Sequence, residues 1–436
     1  MSGIYGSVFR YLLCDLRSGA IKGELPISTV SFGKTLNNVG QFQGQVDLAD
    51  PLMQDVDPLD LTTPASTALF VDFQGALVWG GVIFPRQRQM QSGNRTMTVT
   101  ANDLWGYFSQ RVQATDYSAP PYSGITGPSN VMPIWDASAT DNLSVYDSVL
   151  IAWQIISDAL SVNFGNILGG IGLAANAYTT AAAYLASGTG TPAPNALNTG
   201  GYVNETYPYA SLQLVATIVQ QLSQLGLYVG FDLGVDVAYS AAEWSVPVAT
   251  INLSTPRRGR TVSQNNLVID LRGALSYVFP EDGTQSGNIV YETGASGAIA
   301  VTENIYPLED GYPVLEKVVS RAQVVSSNAL NLLSNIGQSD AALYSYPVVV
   351  PQVTLDLFNT MLPLGSFIEG DDVQLYIPAV DGTGSVWDPG FPNGLDLEFR
   401  ISQWTATVAN SGQSTLALVF NQPPAIGLPS LPPLGS

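Results

Sequence analysis

Short extended runs with apolar and polar residues at alternate positions recur along this chain. In residues 67–84, Leu69, Val71 and Phe73 fall on one side, Gln74-Gly75 supplies a turn, and Leu77-Val78-Trp79 resumes the run. Met97, Val99 and Ala101 share one face of a second run over 96–101. Antiparallel pairing in a barrel or sandwich satisfies both, so residues 1–112 read as β. The C-terminal third repeats the pattern at 348–357, 373–377, 397–408 and 415–420. Ala409-Asn410-Ser411-Gly412 separates the last two runs as a hairpin turn.

Helical spacing occurs between these regions. Ser144 and Asp147 form a capping-box-like start, with Tyr146, Val149, Leu150, Trp153 and Leu160 on one stripe. Leu212, Val215, Val219 and Leu222 predict a helix over 210–225, and Gly226 is a natural stop before a strand at 227–233. Residues 267–306 are β-like and turn-rich, and a short helix is expected near 326–336. The expected fold is mainly β with a few helices, a β-rich α+β chain of several domains with barrel-like units near both ends. The boundaries are an N-terminal β domain at 1–112, a loop-rich insertion with one helix at 113–205, an α+β domain at 206–275, a C-terminal β domain at 276–420 and a Pro-rich tail at 421–436.

Composition narrows the chemistry. The 436 residues include no histidine and one cysteine, Cys14. Serine triads with a histidine base, cysteine–histidine dyads and zinc sites built on histidine are therefore excluded. A single cysteine allows no internal disulfide, and a reducing cytoplasm suits assembly. The start, MSGIYGSVFRYLLCD, does not read as a secretory signal. Hydrophobic residues make up 46%, which places the chain among folded proteins, and 42 Gly with 28 Pro favour turns and strands. Fifteen basic against 35 acidic residues give a net charge of −20, which leaves no footprint for wrapping nucleic acid. A negative wall could still border a path that DNA traverses without sticking.

Individual motifs carry sharper and blander readings. Residues 159–204 contain no charged side chain, and 165–187 is long enough to span a bilayer. Gly, Asn and Thr interrupt it, so a loop packed between subunits or exposed at a tip is the preferred reading. Gly170-Ile171-Gly172-Leu173-Ala174-Ala175 fits G-x-G-x-x-A, but the next acid, Glu205, lies too far on for a dinucleotide site. Asp47, Asp50, Asp55, Asp57 and Asp60 cluster without EF-hand spacing and read as a solvated acidic loop. Glu292, Glu309, Glu316 and Glu369 are carboxylates among which no glycosidase pair is marked. Arg257, Arg258 and Arg260 form the only basic cluster, and pairing with Asp or Glu across a subunit or domain interface is the favoured role. Seven tryptophans are spread as core anchors rather than gathered as one sugar-binding platform.

Three longer phrases stand out: YLLCDLRSGAIKGELPISTVSFGKTLNNVGQFQGQVDLADP at 11–51, ALFVDFQGALVWGGVIFPRQRQ at 68–89, and MTVTANDLWGYFSQRV at 97–112. Weaker ones are TPRRGR at 255–260, VLEKVVSRAQV at 314–324, and GDDVQLYI and DPGFPNGLDLEFRISQWTATV towards the end. Together they resemble the minor tail proteins of long-tailed phages (siphoviruses) that infect actinobacteria, in the tail-associated baseplate-hub family. The likeness is densest over 11–112 and contains no catalytic signature. It implies a structural hub at the virion tail tip, assembled in the host cytoplasm as a homotrimer, with tail-tube-like barrel domains at both ends. Such a ring surrounds an axial channel, sits below the distal tail protein and guides tape measure protein and DNA during genome delivery, with DNA passing unbound. Other minor tail proteins or fibres, and host envelope contact through 159–204, are further expected partners.

That reading assigns no enzymatic activity, cofactor, metal or catalytic residue, and expects part of the acidic excess to line the channel. The alternatives are a receptor- or cell-wall-binding tail protein and a cell-wall hydrolase.

Overall fold

A computed structural model describes residues 8–53, 57–113, 146–161, 174–178, 202–203, 212–224, 231–240, 246–254, 257–294, 297–321, 329–358, 361–409 and 413–421. The N-terminal alternation folds into β1 (Phe9–Asp15), β2 (Ile21–Glu24), β3 (Ile27–Thr35), β4 (Asn38–Asp47), β5 (Thr67–Phe73), β6 (Ala76–Gln91) and β7 (Asn94–Asp103), with helix α1 (Pro58–Leu61) between β4 and β5. Their order in the sheet is β3-β4-β7-β6-β5-β1-β2. The sheet curls until its inner residues meet: Phe9 on β1 faces Phe32 on β3 at 6.0 Å between ring centroids, and Tyr11 faces Phe42 at 6.1 Å. Trp79 fills the centre, fully buried, and its indole N–H donates to the Gly33 carbonyl at 3.0 Å.

The central segment builds a cover for part of the outer surface. It contains β8 (Tyr146–Asp147), α2 (Ser148–Ser161), β9 (Ala174–Tyr178), β10 (Tyr202–Val203), α3 (Val215–Ser223), β11 (Asp232–Tyr239) and β12 (Pro247–Ser254). Val149, Ala152, Ile155 and Ile156 of α2 and Val215, Ile218, Val219 and Leu222 of α3 join Leu233, Val235, Ile251 and Leu253 in one core. That core also contains Leu12, Cys14, Ala68 and Phe70 from the outer side of β1 and β5. Every residue of β5 is therefore buried, since both of its faces are covered. The expected helix at 144–160 starts at Ser148, because Tyr146–Asp147 pairs with Tyr202–Val203. The second expected helix spans only Val215–Ser223, and the strand expected at 227–233 is displaced to 232–239, with 225–230 outside the described residues.

The remaining elements are α4 (Val262–Asn265), β13 (Val268–Asp270), β14 (Ser276–Val278), β15 (Glu281–Asp282), β16 (Ile289–Gly294), β17 (Ile299–Glu303), α5 (Tyr306–Glu309), β18 (Glu316–Arg321), α6 (Ala329–Tyr344), β19 (Val348–Val349), β20 (Gln352–Asp356), β21 (Asp372–Ile377), β22 (Leu395–Val408) and β23 (Thr415–Asn421). β22 is the spine of the molecule. Its first half pairs β21, and its second half pairs β3 antiparallel, Gln403 opposite Thr35 through Val408 opposite Val30. A bulge between Ile401 and Gln403 separates these halves in the pairing with β23. The N- and C-terminal strands thus form one 13-stranded sheet with a shared core. Trp404 crosses the seam, edge-on to Phe32 at 5.9 Å and to Phe367 at 6.1 Å. The fold is mainly β with a few helices, as the periodicity implies.

A separate three-stranded sheet, β17-β16-β18, packs one face against α6. α6 runs well past the expected 326–336. Gly337 lies just past the expected end, and a Cβ there would lie 2.5 Å from the Thr302 hydroxyl and 3.3 Å from Glu292. The missing side chain lets the helix approach the sheet rather than end.

Candidate functional site

The side of the large sheet away from its core divides in two. The helical cover occupies the β1-β5-β6 end, and the rest is a polar surface that runs unbroken across the β3–β22 seam. Cross-strand register puts Ser276, Thr354, Ala417, Thr405, Gly33, Gln41 and Asn102 in one row over β14, β20, β23, β22, β3, β4 and β7. The next row is Asp356, Thr415, Thr407, Ser31, Gln43 and Thr100. Hydroxyls and amides dominate both rows, and Asp356 at the far edge is their one charge, accepting from the Gln413 amide at 2.9 Å. A groove of about 370 Å³ lies over the seam, lined by Ser31, Thr35, Gln41, Gln43, Thr100, Gln403 and Thr405 among others. Such a surface is well hydrated and offers neither cations to hold phosphate nor apolar area to hold protein.

Next to the seam lies a buried ionic junction. The Arg258 guanidinium, 4% exposed, pairs with Glu369 at 3.0 Å and with Asp236, while its backbone N–H donates to Asp232 at 2.7 Å. Arg400 donates to Asp232, to the Arg258 carbonyl at 2.7 Å and to the Gly370 carbonyl at 3.0 Å. Arg260 forks onto Asp371, and Arg257 reaches Asp372 at 2.7 Å. Lys34 caps the Val235 carbonyl at 2.7 Å. Arg257, Arg258, Arg260, Arg400 and Lys34 thus balance Asp232, Asp236, Glu369, Asp371 and Asp372, which is the condition for burying so many ions.

Two backbone segments cross here. Gly259 and Gly370 both have positive φ (+90° and +99°), and a Cβ on Gly259 would sit 2.1 Å from the Gly370 carbonyl carbon. Only glycine permits that crossing. Burial pushes the Asp236 carboxyl up, but the bonds from Arg258 outweigh it and hold the group below its ordinary value.

The arginines singled out in the sequence therefore meet acids of their own chain, and join the β11–β12 unit to the 369–372 loop and the β22 spine. Arg400, Lys34 and Asp232 had no local signal, because the Arg400–Asp232 pair spans 168 residues and the Lys34–Val235 bond spans 201. The outward Thr98 and Thr100 were legible as the polar half of the alternation at 96–101, but the rows that cross the sheet were not.

Other candidates resolve as follows. Glu292 is buried and bonded to Arg321 at 3.2 Å, and Arg321 also holds Asp340 at 2.6 Å. Burial, then the adjacent Asp340, pushes the Glu292 carboxyl up to about 8. Glu292 on β16 and Asp340 on α6 form a carboxyl pair that shares Arg321. Glu369 belongs to the junction, whereas Glu309 and Glu316 are exposed. Asp103 is buried, accepting from the backbone of Gly40 at 2.7 Å and Gly106 at 3.2 Å, and burial pushes it up to about 7.

Asp57 caps α1 through the N–H groups of Leu59 and Asp60, and Asp47 accepts from Ala49, while Asp55 lies outside the described residues. Ala174 and Ala175, which end the glycine-rich motif, begin a strand rather than the helix a dinucleotide site requires; the glycines lie outside the described residues. Most of 159–204 also lies outside them, and among the described residues no helix is long and apolar enough to cross a membrane. Trp79, Trp105 and Trp404 are buried and Trp153 and Trp387 pack against the cores, whereas Trp135 and Trp244 are outside the described residues.

The fold and this surface together define a β protein built on one 13-stranded sheet, with a hydroxyl- and amide-rich strip across its seam. Comparison with solved structures finds a similar fold in several tail proteins. A tail protein from Neisseria meningitidis MC58 superposes with a TM-score of 0.52 at 11% identity, covering 94% of this chain and 96% of its own. The prophage tail protein gp18 from Listeria monocytogenes EGD-e gives 0.51 at 11% identity, covering 95% of each chain. The 43 kDa tail protein of prophage MuSo2 from Shewanella oneidensis gives 0.51 at 12% identity, covering 96% of this chain and all of that one. No family model and no curated protein matches the sequence. At such identities the shared property is the fold, from end to end.

Proposed function

We infer that this chain is a structural hub protein of a phage tail tip, set as a ring around the channel that tape measure protein and DNA traverse. The observation that carries the reading is the neutral, hydroxyl- and amide-rich face running unbroken across the β3–β22 seam, in a fold shared end to end with tail proteins. With one β-rich unit at each end of the shared sheet, three copies would place six such units around an axis and match a six-fold tube. The neutral face suits the channel wall, since a polyanion passing it meets neither cations to bind nor a dense carboxylate field. The acidic excess then belongs to surfaces elsewhere, in place of the acid-lined channel that composition alone suggests. The buried junction holds the β11–β12 unit rigidly against the β22 spine under the load of assembly, and no proton-transfer chemistry near neutral pH is asked of the chain. The distal tail protein above the ring and other minor tail proteins around it complete the proposed setting.

The test is electron cryomicroscopy of purified virions combined with antibody labelling of this chain. The expected result is a ring at the tail tip with Gln43, Thr100 and Thr405 facing its axis. Labelling away from the tip would overturn the hub reading, and a ring whose lumen is built from other residues would overturn the assignment of the face.

A further inference from the structure

The small sheet β17-β16-β18 has one face under α6, and among the described residues the other face is bare. On the bare face Val301, Tyr291 and Val318 stand in register across the three strands, with Ile299 beside them. Ile299 is 54% exposed, Val301 50% and Val318 70%. The neighbouring row is Glu303, Ile289 and Glu316, so a carboxylate stands at each side of the apolar strip. Both are exposed, and among the described residues neither meets a cation; Glu316 accepts only the Tyr291 hydroxyl, at 2.8 Å. Lys317 and Arg321 of the same strand point to the other side, Lys317 over the Tyr344 ring and Arg321 onto Glu292 and Asp340. More exposed apolar residues follow around the acidic end: Ile305, Tyr306 and Val314.

The contrast with the rest of the chain is informative. Most acids buried between elements meet an arginine, as at Asp232, Glu369, Asp371, Asp372 and Asp340, and the buried Asp72 and Asp103 are held by backbone N–H groups and, at Asp72, the Tyr239 hydroxyl. On this face the carboxylates are left over, beside apolar area that water solvates poorly.

We propose that the bare face of β17-β16-β18 is a docking surface for a partner protein that presents an apolar strip flanked by Lys or Arg. Charge selects this occupant. A second copy of the same face would bring Glu303 and Glu316 against their own kind, nucleic acid and anionic lipid would be repelled, and a basic-rimmed apolar strip satisfies both features at once. The surface lies apart from the neutral face, so the inference stands whether or not the tail-tip reading holds.

The experiment uses the full chain and two fluorescein-labelled hairpin peptides with the same Val/Ile face, one flanked by Lys and the other by Glu. Fluorescence polarisation should show saturable binding of the Lys peptide, at least tenfold tighter than the Glu peptide and several-fold weaker at 300 mM than at 50 mM salt. V301D/V318D should abolish binding while leaving the urea midpoint unchanged. Should that variant fold poorly, E303K/E316K decides, since it should reverse the preference towards the Glu peptide. No saturable binding by the wild type, or preference unchanged in E303K/E316K, would overturn the proposal. So would self-association in sedimentation that V301D/V318D abolishes and the charge swap leaves intact.

Discussion

Replacing Arg258 with methionine tests the junction directly. The side chain is 4% exposed and neutralises Glu369, which is 2% exposed, while Asp236 at 39% can reach water. The variant therefore strands one buried carboxylate, and Glu369 already has one oxygen without a hydrogen-bond partner. Breaking a buried pair from one side costs about 3–5 kcal/mol, whereas replacing both members by apolar groups of similar size is often nearly neutral. R258M should lower stability by about 4 kcal/mol, a urea midpoint shift on the order of 1 M. R258M/E369M should recover to within about 1 kcal/mol of wild type. Arg10 and Glu24 provide the contrast: they pair in water at 51% and 47% exposure, and R10A should cost no more than about 0.5 kcal/mol. Urea titrations of the full chain by tryptophan fluorescence, repeated by circular dichroism to test for a single transition, give all four values. An R258M cost below about 1 kcal/mol, or a double variant weaker than the single one, would refute the view that Arg258 compensates a desolvated charge.

Three further outcomes are expected. W79F removes the indole N–H that satisfies the buried Gly33 carbonyl and should cost about 1–3 kcal/mol in the same titration, with a value near zero arguing that the bond contributes nothing. Glu292 is raised to about 8 from an ordinary 4.5 by burial and by Asp340, so the stability tied to its protonated form is complete below pH 4.5 and lost as the pH climbs through 8. E292Q should flatten that loss by on the order of 2 kcal/mol between pH 5 and 8.5, and melting curves with unchanged pH slope would contradict it. Cys14 is fully buried and its thiol is pushed by burial up to about 11, so it should resist a thiol reagent at pH 8 until urea unfolds the chain; prompt labelling of the native protein would show the core to be open.

Alternation alone determined much of this protein. The period-two pattern at 67–84 and 96–101 depends only on a strand's two faces, and it located β5, β6 and β7 with their buried Leu69, Val71, Val99 and Ala101. The absence of histidine, read from composition, excluded whole classes of chemistry before any fold was considered. Elements whose limits depend on distant partners were less legible: Tyr146–Asp147 left its helix to pair with Tyr202–Val203, and Gly337 lies inside a helix where the absent side chain leaves room for Thr302.

Tertiary structure decided the rest. Nothing near Arg258 in the chain names Glu369, and nothing near Val30 to Thr35 names β22 as its neighbour. Hydrogen-bond register and charge compensation act between segments hundreds of residues apart, and each is settled only when the core closes and excludes water. The single seam, the neutral face across it and the acid-flanked strip on the small sheet are therefore properties of the folded chain.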